Sequence, residues 1–264
     1  NMRKLSYPGR SNVLAQNGMV ATSNPLSSMV AINVLQKGGN AVDAAIAASA
    51  VQAVVCPSAT GIGGDCFAII SMNGKKPIAV NGSGIAPKKA NLQFYKDNKI
   101  KNIGLTSPHS VTIPGAVHAW CSMHEKFGRI DFKEVLNGAE NFARKGFPVH
   151  EVEAIAWKEN EKKLKKNSNS KRLFLNQNLS YSYGEVFKNI PLANTLRVIS
   201  KNKIKGFYQS EITNDMVKTL NKLGGLHTEE DFYNQETLFS KTISNSYRNL
   251  KVHQCPLNLS LIHI

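Results

Sequence analysis

The chain contains little cysteine, and the pattern of its cysteines excludes two common kinds of site. Four cysteines are spread over 264 residues, without a CxxC pair and without the spacing of a His/Cys metal site. His118 and His124 are six residues apart, so they do not share a helix face. We therefore predict reduced, structural thiols of the kind found in cytoplasmic proteins, no metal site and no cofactor. The cysteines are Cys56, Cys66, Cys121 and Cys255.

Long apolar runs are also missing. No segment approaches the ~20 apolar residues that a membrane-spanning helix needs. The longest alanine-rich run, residues 41–55, is shorter and contains Asp43 and Gln52. The N-terminal residues include basic side chains but no apolar core of a signal peptide. The sequence thus predicts no membrane association, no signal peptide and a cytoplasmic location.

Acidic residues are scarce, with 18 Asp and Glu against 33 Lys and Arg, for a net charge of +15. Such an excess can indicate a nucleic-acid partner. Here the densest basic run, residues 158–172, has no interleaved aromatic residues and no recognition motif. A solvated helix face followed by a loop explains the run better. Nucleic-acid binding remains an alternative that rests on charge alone, and we predict no such partner.

What the sequence does contain is a dense block of small apolar residues at 18–81. Asn24-Pro25 has the pattern of a helix start, and Gly38-Gly39 that of a helix end. Asn40 then caps a second helix, residues 41–55, which we expect to be buried. The turn signal Asn73-Gly74 predicts a hairpin whose strands are residues 66–72 and 77–81.

The remainder alternates between helical and extended patterns, so we predict one mixed α and β domain over residues 1–264. Helices are predicted at 115–127, 132–145, 150–166, 191–202 and 211–223, with a short helical turn at 228–231. A short strand is predicted at 107–114, a loop at 168–183, and strands within 237–255.

A glycine turn, Gly61, Gly63 and Gly64, lies directly before the first predicted strand. It is not a phosphate loop, because it lacks the GxxxxGK[ST] pattern and leads into a strand. We interpret it as a structural turn packed against the alanine-rich helix. The alternative is a place where a ligand or another backbone comes close.

No group of residues forms a recognisable catalytic set. There is no GxSxG elbow for a serine hydrolase. Cys66 begins an apolar strand, which favours an inert buried thiol over a nucleophile. From the residues alone, the chain is a scaffold, and we predict no catalytic residue within it.

Several motifs in order resemble the γ-glutamyltransferase family. GGNAVDAA at residues 38–45 and GIGGDCF at 61–67 match its opening motifs. SVTIPGAVHAW…FG within 110–136, GFYQSEI…GGLHTEEDF within 203–232 and SYRNLKV at 246–252 resemble its later blocks. The resemblance extends over essentially the whole chain.

That resemblance implies an N-terminal nucleophile hydrolase fold, an α/β/β/α sandwich. Members of the family are precursors that cleave themselves into a large and a small subunit, and the new N-terminal threonine of the small subunit is the nucleophile. This chain matches the large-subunit side only, so its sandwich would be incomplete and the nucleophile would lie beyond it. The implied partners are that small subunit and a small-molecule amide or γ-glutamyl-like substrate.

Two departures from the family qualify this expectation. Ser83 stands where γ-glutamyl enzymes carry an arginine that binds the substrate carboxylate, which points to the oxamate amidohydrolase-like branch. Ser83 is therefore either a substrate contact or a small residue in a tight loop, and Lys88 and Lys89 are candidate replacement cations. Beyond Pro256 the tail lacks the family's glycines, so residues 256–264 are predicted to be a non-native end of a truncated reading frame.

Two further expectations follow. The alternative to an enzyme portion is a non-catalytic module that binds an anionic ligand through the glycine turn and a basic face. A sandwich lacking half of its central strands would expose sheet edges, so the isolated chain is predicted to be poorly soluble.

Overall fold

The computed structural model describes residues 12–256, which fold into helices around a small antiparallel sheet. The predicted non-native tail therefore lies, except for Pro256, outside the described residues. The helices are α1 (Pro25–Gln36), α2 (Ala41–Val55), α3 (Leu92–Asp97), α4 (Ala116–Phe127), α5 (Phe132–Lys145), α6 (Glu151–Leu164), α7 (Ser168–Phe174), α8 (Ile190–Tyr208), α9 (Glu211–Lys222) and α10 (Glu229–Tyr233). The strands are β1 (Cys66–Ile70), β2 (Ile78–Gly82), β3 (Phe147–Pro148), β4 (Val186–Phe187), β5 (Leu238–Lys241), β6 (Ile243–Tyr247) and β7 (Leu250–Gln254).

Helices α1 and α2 begin where their capping residues predict. The side chain of Asn24 accepts a hydrogen bond from the Leu26 amide, and Pro25 occupies the first helical position. At α2, the Asn40 side chain accepts from the Val42 and Asp43 amides, while the Asp43 carboxylate accepts from the Asn40 amide. This reciprocal capping box satisfies donors that a helix N-terminus otherwise leaves unpaired.

Helix α2 forms the centre of the hydrophobic core, as the sequence predicts. Eleven of its fifteen residues are buried, and it packs against α1 and α5. Its alanines allow this close packing. On α5, Gly138 serves the same purpose, since a Cβ there would lie 2.5 Å from the side chain of Val30 in α1.

The main sheet has the order β1-β2-β5 and is antiparallel throughout. The hairpin pairs Cys66 with Gly82 and Ile70 with Ile78. Strand β5, far along the chain, then adds to β2 with Ile78 opposite Lys241. Helix α4 packs on β1 and β2. Strand β1 is therefore at an edge of the sheet within residues 12–256, while β6 and β7 form a separate hairpin.

Three predicted segments differ from the structure. Within 107–114 the only regular element is a single 3-10 turn, Pro108–Ser110, whose N-cap is Ser107. The predicted loop at 168–183 includes α7, because the Asn167 side chain accepts from two following amides and starts a helix. Helix α8 continues beyond residue 202 to Tyr208, across a non-helical Lys203 with φ of 50°.

Two further predictions bear on the cysteines and on membrane-spanning helices. All four cysteines lie within residues 12–256 and are free thiols in this structure. Among the described helices, none is both long enough and apolar enough to cross a membrane.

Candidate functional site

Ser83 lies in the loop that follows β2, and neighbouring side chains hold this loop by its backbone. We name residues 83–85 the clamped loop. The Ser83 amide donates to Asn81 Oδ1 at 2.9 Å, and the Gly84 amide donates to Asp65 Oδ1 at 2.8 Å. Asp65 is the acidic residue of the GIGGD motif, which directly precedes β1, so that motif positions the loop that follows the β1-β2 hairpin.

Gln235 completes the clamp from a distant part of the chain. Its Oε1 accepts from the Ile85 amide at 3.2 Å, and its Nε2 donates to the Ser83 carbonyl at 3.1 Å. Gln235 is only 2% exposed. Three consecutive amides of the clamped loop therefore each have a side-chain acceptor, which fixes the backbone at Ser83 without regular secondary structure.

Three glycines allow this loop to lie directly against the start of α4. A Cβ on Gly84 would overlap the carbonyl oxygen of Ile113, and one on Gly115 would overlap the carbonyl oxygen of Gly82. At Gly82, a Cβ would lie 2.5 Å from the Ala119 Cβ. Backbone therefore packs on backbone here, and side chains at these positions are excluded.

The predicted glycine turn is hydrogen-bonded to the same helix start. The Gly64 carbonyl accepts from the Gly115 amide at 3.0 Å and from the Ala116 amide at 2.9 Å. The sequence predicts contact with α2, whereas these hydrogen bonds join the turn to α4. All three turn glycines have φ outside the left-handed region, and a Cβ on Gly61 or Gly63 would meet nothing within 4 Å. The fold of the described residues thus does not itself require glycine at 61 and 63.

An open pocket of about 280 Å³ lies beside the clamped loop, and half-buried Ser83 lines it. The lining residues are Asn81, Ser83, Gly84, Ile85, Asn234, Glu236 and Leu238. Glu236 is the only charged residue among them. Lys88 and Lys89, the cations suggested by sequence, are exposed and are not among the lining residues.

Asp231 holds in place the segment that follows the clamped loop. Its Oδ1 accepts from the Lys88 amide at 2.9 Å, and its Oδ2 accepts from the amide and hydroxyl of Thr228 at 2.8 and 2.7 Å. Burial alone would raise the pKa of Asp231, but these hydrogen bonds outweigh it and lower the pKa below the ordinary 3.8. The carboxylate is therefore a charged structural anchor.

Cys66, the only thiol that the sequence suggests as a nucleophile, is unsuited to that role. Burial raises its pKa to about 11, so the thiol stays protonated at neutral pH. Its electrostatic neighbours within residues 12–256, Asp65 and Cys255, both raise the pKa further, and neither is a cation.

Sequence reasoning missed one group of chemically capable side chains. Cys56, His150 and Glu153 place their ligand-type atoms within 4.8 Å of one another. Cys56 is more than ninety residues from the other two, so sequence spacing carries no signal for the set. Only the i,i+3 pair His150 and Glu153, at the start of one predicted helix, hints at it.

Comparison with known proteins identifies the family. A family model described as Gamma-glutamyltranspeptidase matches residues 27–263. The chain belongs to this family. The resemblance in its motifs is thereby confirmed.

Named relatives match along most of this chain but over only part of their own length. The Glutathione hydrolase-like YwrD proenzyme of Bacillus subtilis (strain 168) is 32% identical over 249 residues, which are 94% of this chain and 47% of that protein. The Glutathione hydrolase proenzyme of Escherichia coli (strain K12) is 31% identical over 248 residues, 92% of this chain and 43% of that protein. The chain thus spans about half the length of these relatives.

Solved structures confirm the predicted fold. The structure of Helicobacter pylori gamma-glutamyltranspeptidase matches with a TM-score of 0.89 at 30% identity, covering 95% of this chain and 73% of that one. A cephalosporin acylase from Bacillus halodurans matches with a TM-score of 0.89 at 32% identity, covering 97% and 49%. The chain therefore adopts part of an N-terminal nucleophile hydrolase fold.

Proposed function

We propose that this chain is the large-subunit portion of an autoprocessing amide hydrolase or acyltransferase. Its membership of the gamma-glutamyltranspeptidase family and its fold support this proposal. By the family resemblance, an N-terminal threonine of a small subunit attacks the amide, and its own α-amine acts as base. The resulting acyl-enzyme then passes its acyl group to water or to an amine, with oxyanion stabilisation by donors outside this chain.

The observation that carries the proposal is the pocket beside the clamped loop. Ser83 occupies the position that the resemblance assigns to an arginine gripping the substrate carboxylate. A serine hydroxyl lacks the charge and the bidentate fork of a guanidinium. Glu236, the charged residue that lines the pocket, would repel a carboxylate placed there. The proposed substrate is accordingly an amide whose binding requires no cationic side chain at position 83.

The alternative of a stand-alone anion-binding module has less support. Backbone amides are the groups through which a glycine-rich turn binds anions. In the clamped loop, the three amides already donate to Asn81, Asp65 and Gln235. The two amides at the start of α4 donate to the Gly64 carbonyl. These donors beside the glycine turn are occupied within the chain itself, and the Gly64 amide of the turn donates to the Gly61 carbonyl.

The edge of β1 is the proposed contact for the small subunit. Beside it runs an apolar groove of about 410 Å³ between α2 and β1, whose lining includes Ile46, Phe67, Ile69 and Trp120. An unpaired edge strand offers backbone donors and acceptors to an added strand. Strands supplied by the remainder of the protein would extend the sheet there and cover the groove.

The test uses the longest reading frame that contains this chain. We compare hydrolysis of a γ-glutamyl anilide with that of an anilide lacking the α-carboxylate, for the wild type, Ser83→Arg and the control Ser168→Arg, an exposed position on α7. The wild type should show no preference for the γ-glutamyl substrate. Ser83→Arg should raise kcat/KM for the γ-glutamyl substrate about 10-fold or more, as expected for a new charged hydrogen bond to the α-carboxylate. Absence of amide hydrolysis, or a strong γ-glutamyl preference in the wild type, would overturn the proposal.

A further inference from the structure

Three side chains of different chemical type meet between the end of α2 and the start of α6. Cys56 is the C-cap of α2, while His150 is the N-cap of α6 and Glu153 lies in its first turn. Cys56 Sγ is 3.7 Å from His150 Nε2, and one carboxylate oxygen of Glu153 completes a set whose members all lie within 4.8 Å of one another.

The spacing of these atoms suits a single small cation. Zinc lies about 2.3 Å from a thiolate sulfur and about 2.0–2.1 Å from an imidazole nitrogen. Two such ligands at a tetrahedral angle would be roughly 3.6 Å apart. The Sγ to Nε2 distance of 3.7 Å in this chain matches that separation closely. A thiolate, an imidazole and a carboxylate are also ligand types that zinc takes in proteins.

Neighbouring groups already orient the ligands. Ser58 donates from its amide to Glu153 Oε1 and from its hydroxyl to Oε2, both at 2.9 Å. Burial raises the pKa of the Cys56 thiol, and the side-chain amide of Asn24, which donates to Cys56 Sγ at 3.5 Å, partly offsets this. Hydrogen bonds of this kind hold metal ligands in place and tune their basicity.

The burial of the Glu153 carboxyl group also favours a cation beside it. The residue is 2% exposed. Buried charges in proteins are normally paired or coordinate a metal. Among residues 12–256, Glu153 forms no ion pair within 4.0 Å, and Ser58 supplies only neutral donors to it.

We propose that Cys56, His150 and Glu153 bind one zinc ion, with water as the fourth ligand. On binding, the Cys56 thiol loses its proton to solvent and the thiolate sulfur coordinates the metal. A pocket of about 160 Å³, lined by Pro57, Ser58 and Trp157 among others, lies on the Glu153 side of this set and would admit solvent there. The metal would join the end of α2 to the start of α6, which lie far apart in sequence.

The first test is a cobalt titration of the metal-stripped protein that is encoded by the longest reading frame containing this chain, because Co²⁺ reports thiolate ligation by a charge-transfer absorption band. The wild type should develop this band at one equivalent, and Zn²⁺ should abolish it. Cys56→Ser should lack the band. Cys255→Ser, which alters another buried thiol, should retain it. A wild type without the band, or a Cys56→Ser variant that keeps it, would overturn the proposal.

The second test guards against a variant that merely fails to fold. His150→Asn places a preferred N-cap residue at the start of α6, and its metal-free melting curve verifies the fold. Removing a hydrogen-bond partner of a metal ligand typically costs 10–100-fold in affinity, so loss of a ligand itself should weaken Zn²⁺ binding by about 100-fold or more. An equal zinc-induced rise in Tm for the wild type and His150→Asn would refute the assignment.

Discussion

At the scale of single residues, the glycines around the clamped loop differ sharply in what they must accommodate. A Cβ at Gly84 would overlap the Ile113 carbonyl, whereas one at Gly63 would meet nothing. Gly84→Ala should therefore lower the free energy of unfolding by about 3 kcal/mol, the upper part of the usual overpacking cost. Gly63→Ala should change it by less than about 0.5 kcal/mol. Urea unfolding measures both, and equal effects would contradict the packing described for the loop.

A second prediction at this scale concerns Asp231 and pH. Its hydrogen bonds lower its pKa in the folded chain below 3.8, so the charged form stabilises the fold above the unfolded pKa. This contribution disappears as the pH falls through the folded pKa. Asp231→Asn should flatten the loss of stability that occurs as the pH falls below 3.8. Urea unfolding across that range is the measurement, with exposed Asp215→Asn as control. A profile unchanged by Asp231→Asn would count against the anchor.

Individual residues also show which features of the site the sequence could predict and which it could not. The family resemblance placed Ser83 in the loop after β2, where the structure has it. It did not indicate Gln235, because a glutamine 152 residues away acquires its partners only through the fold. The sequence did not indicate the cluster of Cys56, His150 and Glu153 for the same reason. The roles of Ser83 and of the glycine turn in substrate binding stay predictions.

At the scale of elements, α2 depends on the residues that start it. Asp43 is fully buried and accepts from the Asn40 amide and from the Arg129 amide at 2.9 and 3.0 Å. Asp43→Ala should cost about 3 kcal/mol, because it removes a fully buried carboxylate that accepts from two backbone donors. Asp131→Ala removes an exposed cap from α5 and should cost about 1 kcal/mol. Thermal or urea unfolding distinguishes the two, and a smaller loss for Asp43→Ala would contradict this account.

The sequence correctly predicts the elements whose ends carry capping residues or helix-ending glycines. Helix α5 has the predicted bounds because Asp131 caps it and Gly146 ends it. Helix α7 was missed, since its polar residues have no apolar period and only the Asn167 cap signals its start. The strand predicted at 107–114 was wrong because Ser107 and Pro108 favour a tight turn. The pairing of β5 with β2 is set by tertiary packing and had no local signal.

At the scale of the whole molecule, the open edge of β1 predicts association of the isolated chain. Ile69 on that strand is 43% exposed beside the apolar groove. The 264-residue chain should therefore self-associate, and Ile69→Lys should reduce this, because charge on an edge strand opposes pairing. Sedimentation velocity measures the effect, with Val152→Lys on α6, a position 71% exposed, as control. Monodisperse wild-type chain would contradict the open edge.

The central claim is that this chain is one part of an autoprocessing hydrolase. The most direct test is the mass of the purified protein that is encoded by the longest reading frame containing this chain. Intact-mass spectrometry of that purified protein should show two chains whose masses sum to that of the precursor plus one water, because the cleavage hydrolyses one peptide bond. N-terminal sequencing of the smaller chain should begin with threonine. A single chain that stays uncleaved during prolonged incubation, or a cleavage that exposes another residue, would contradict the account.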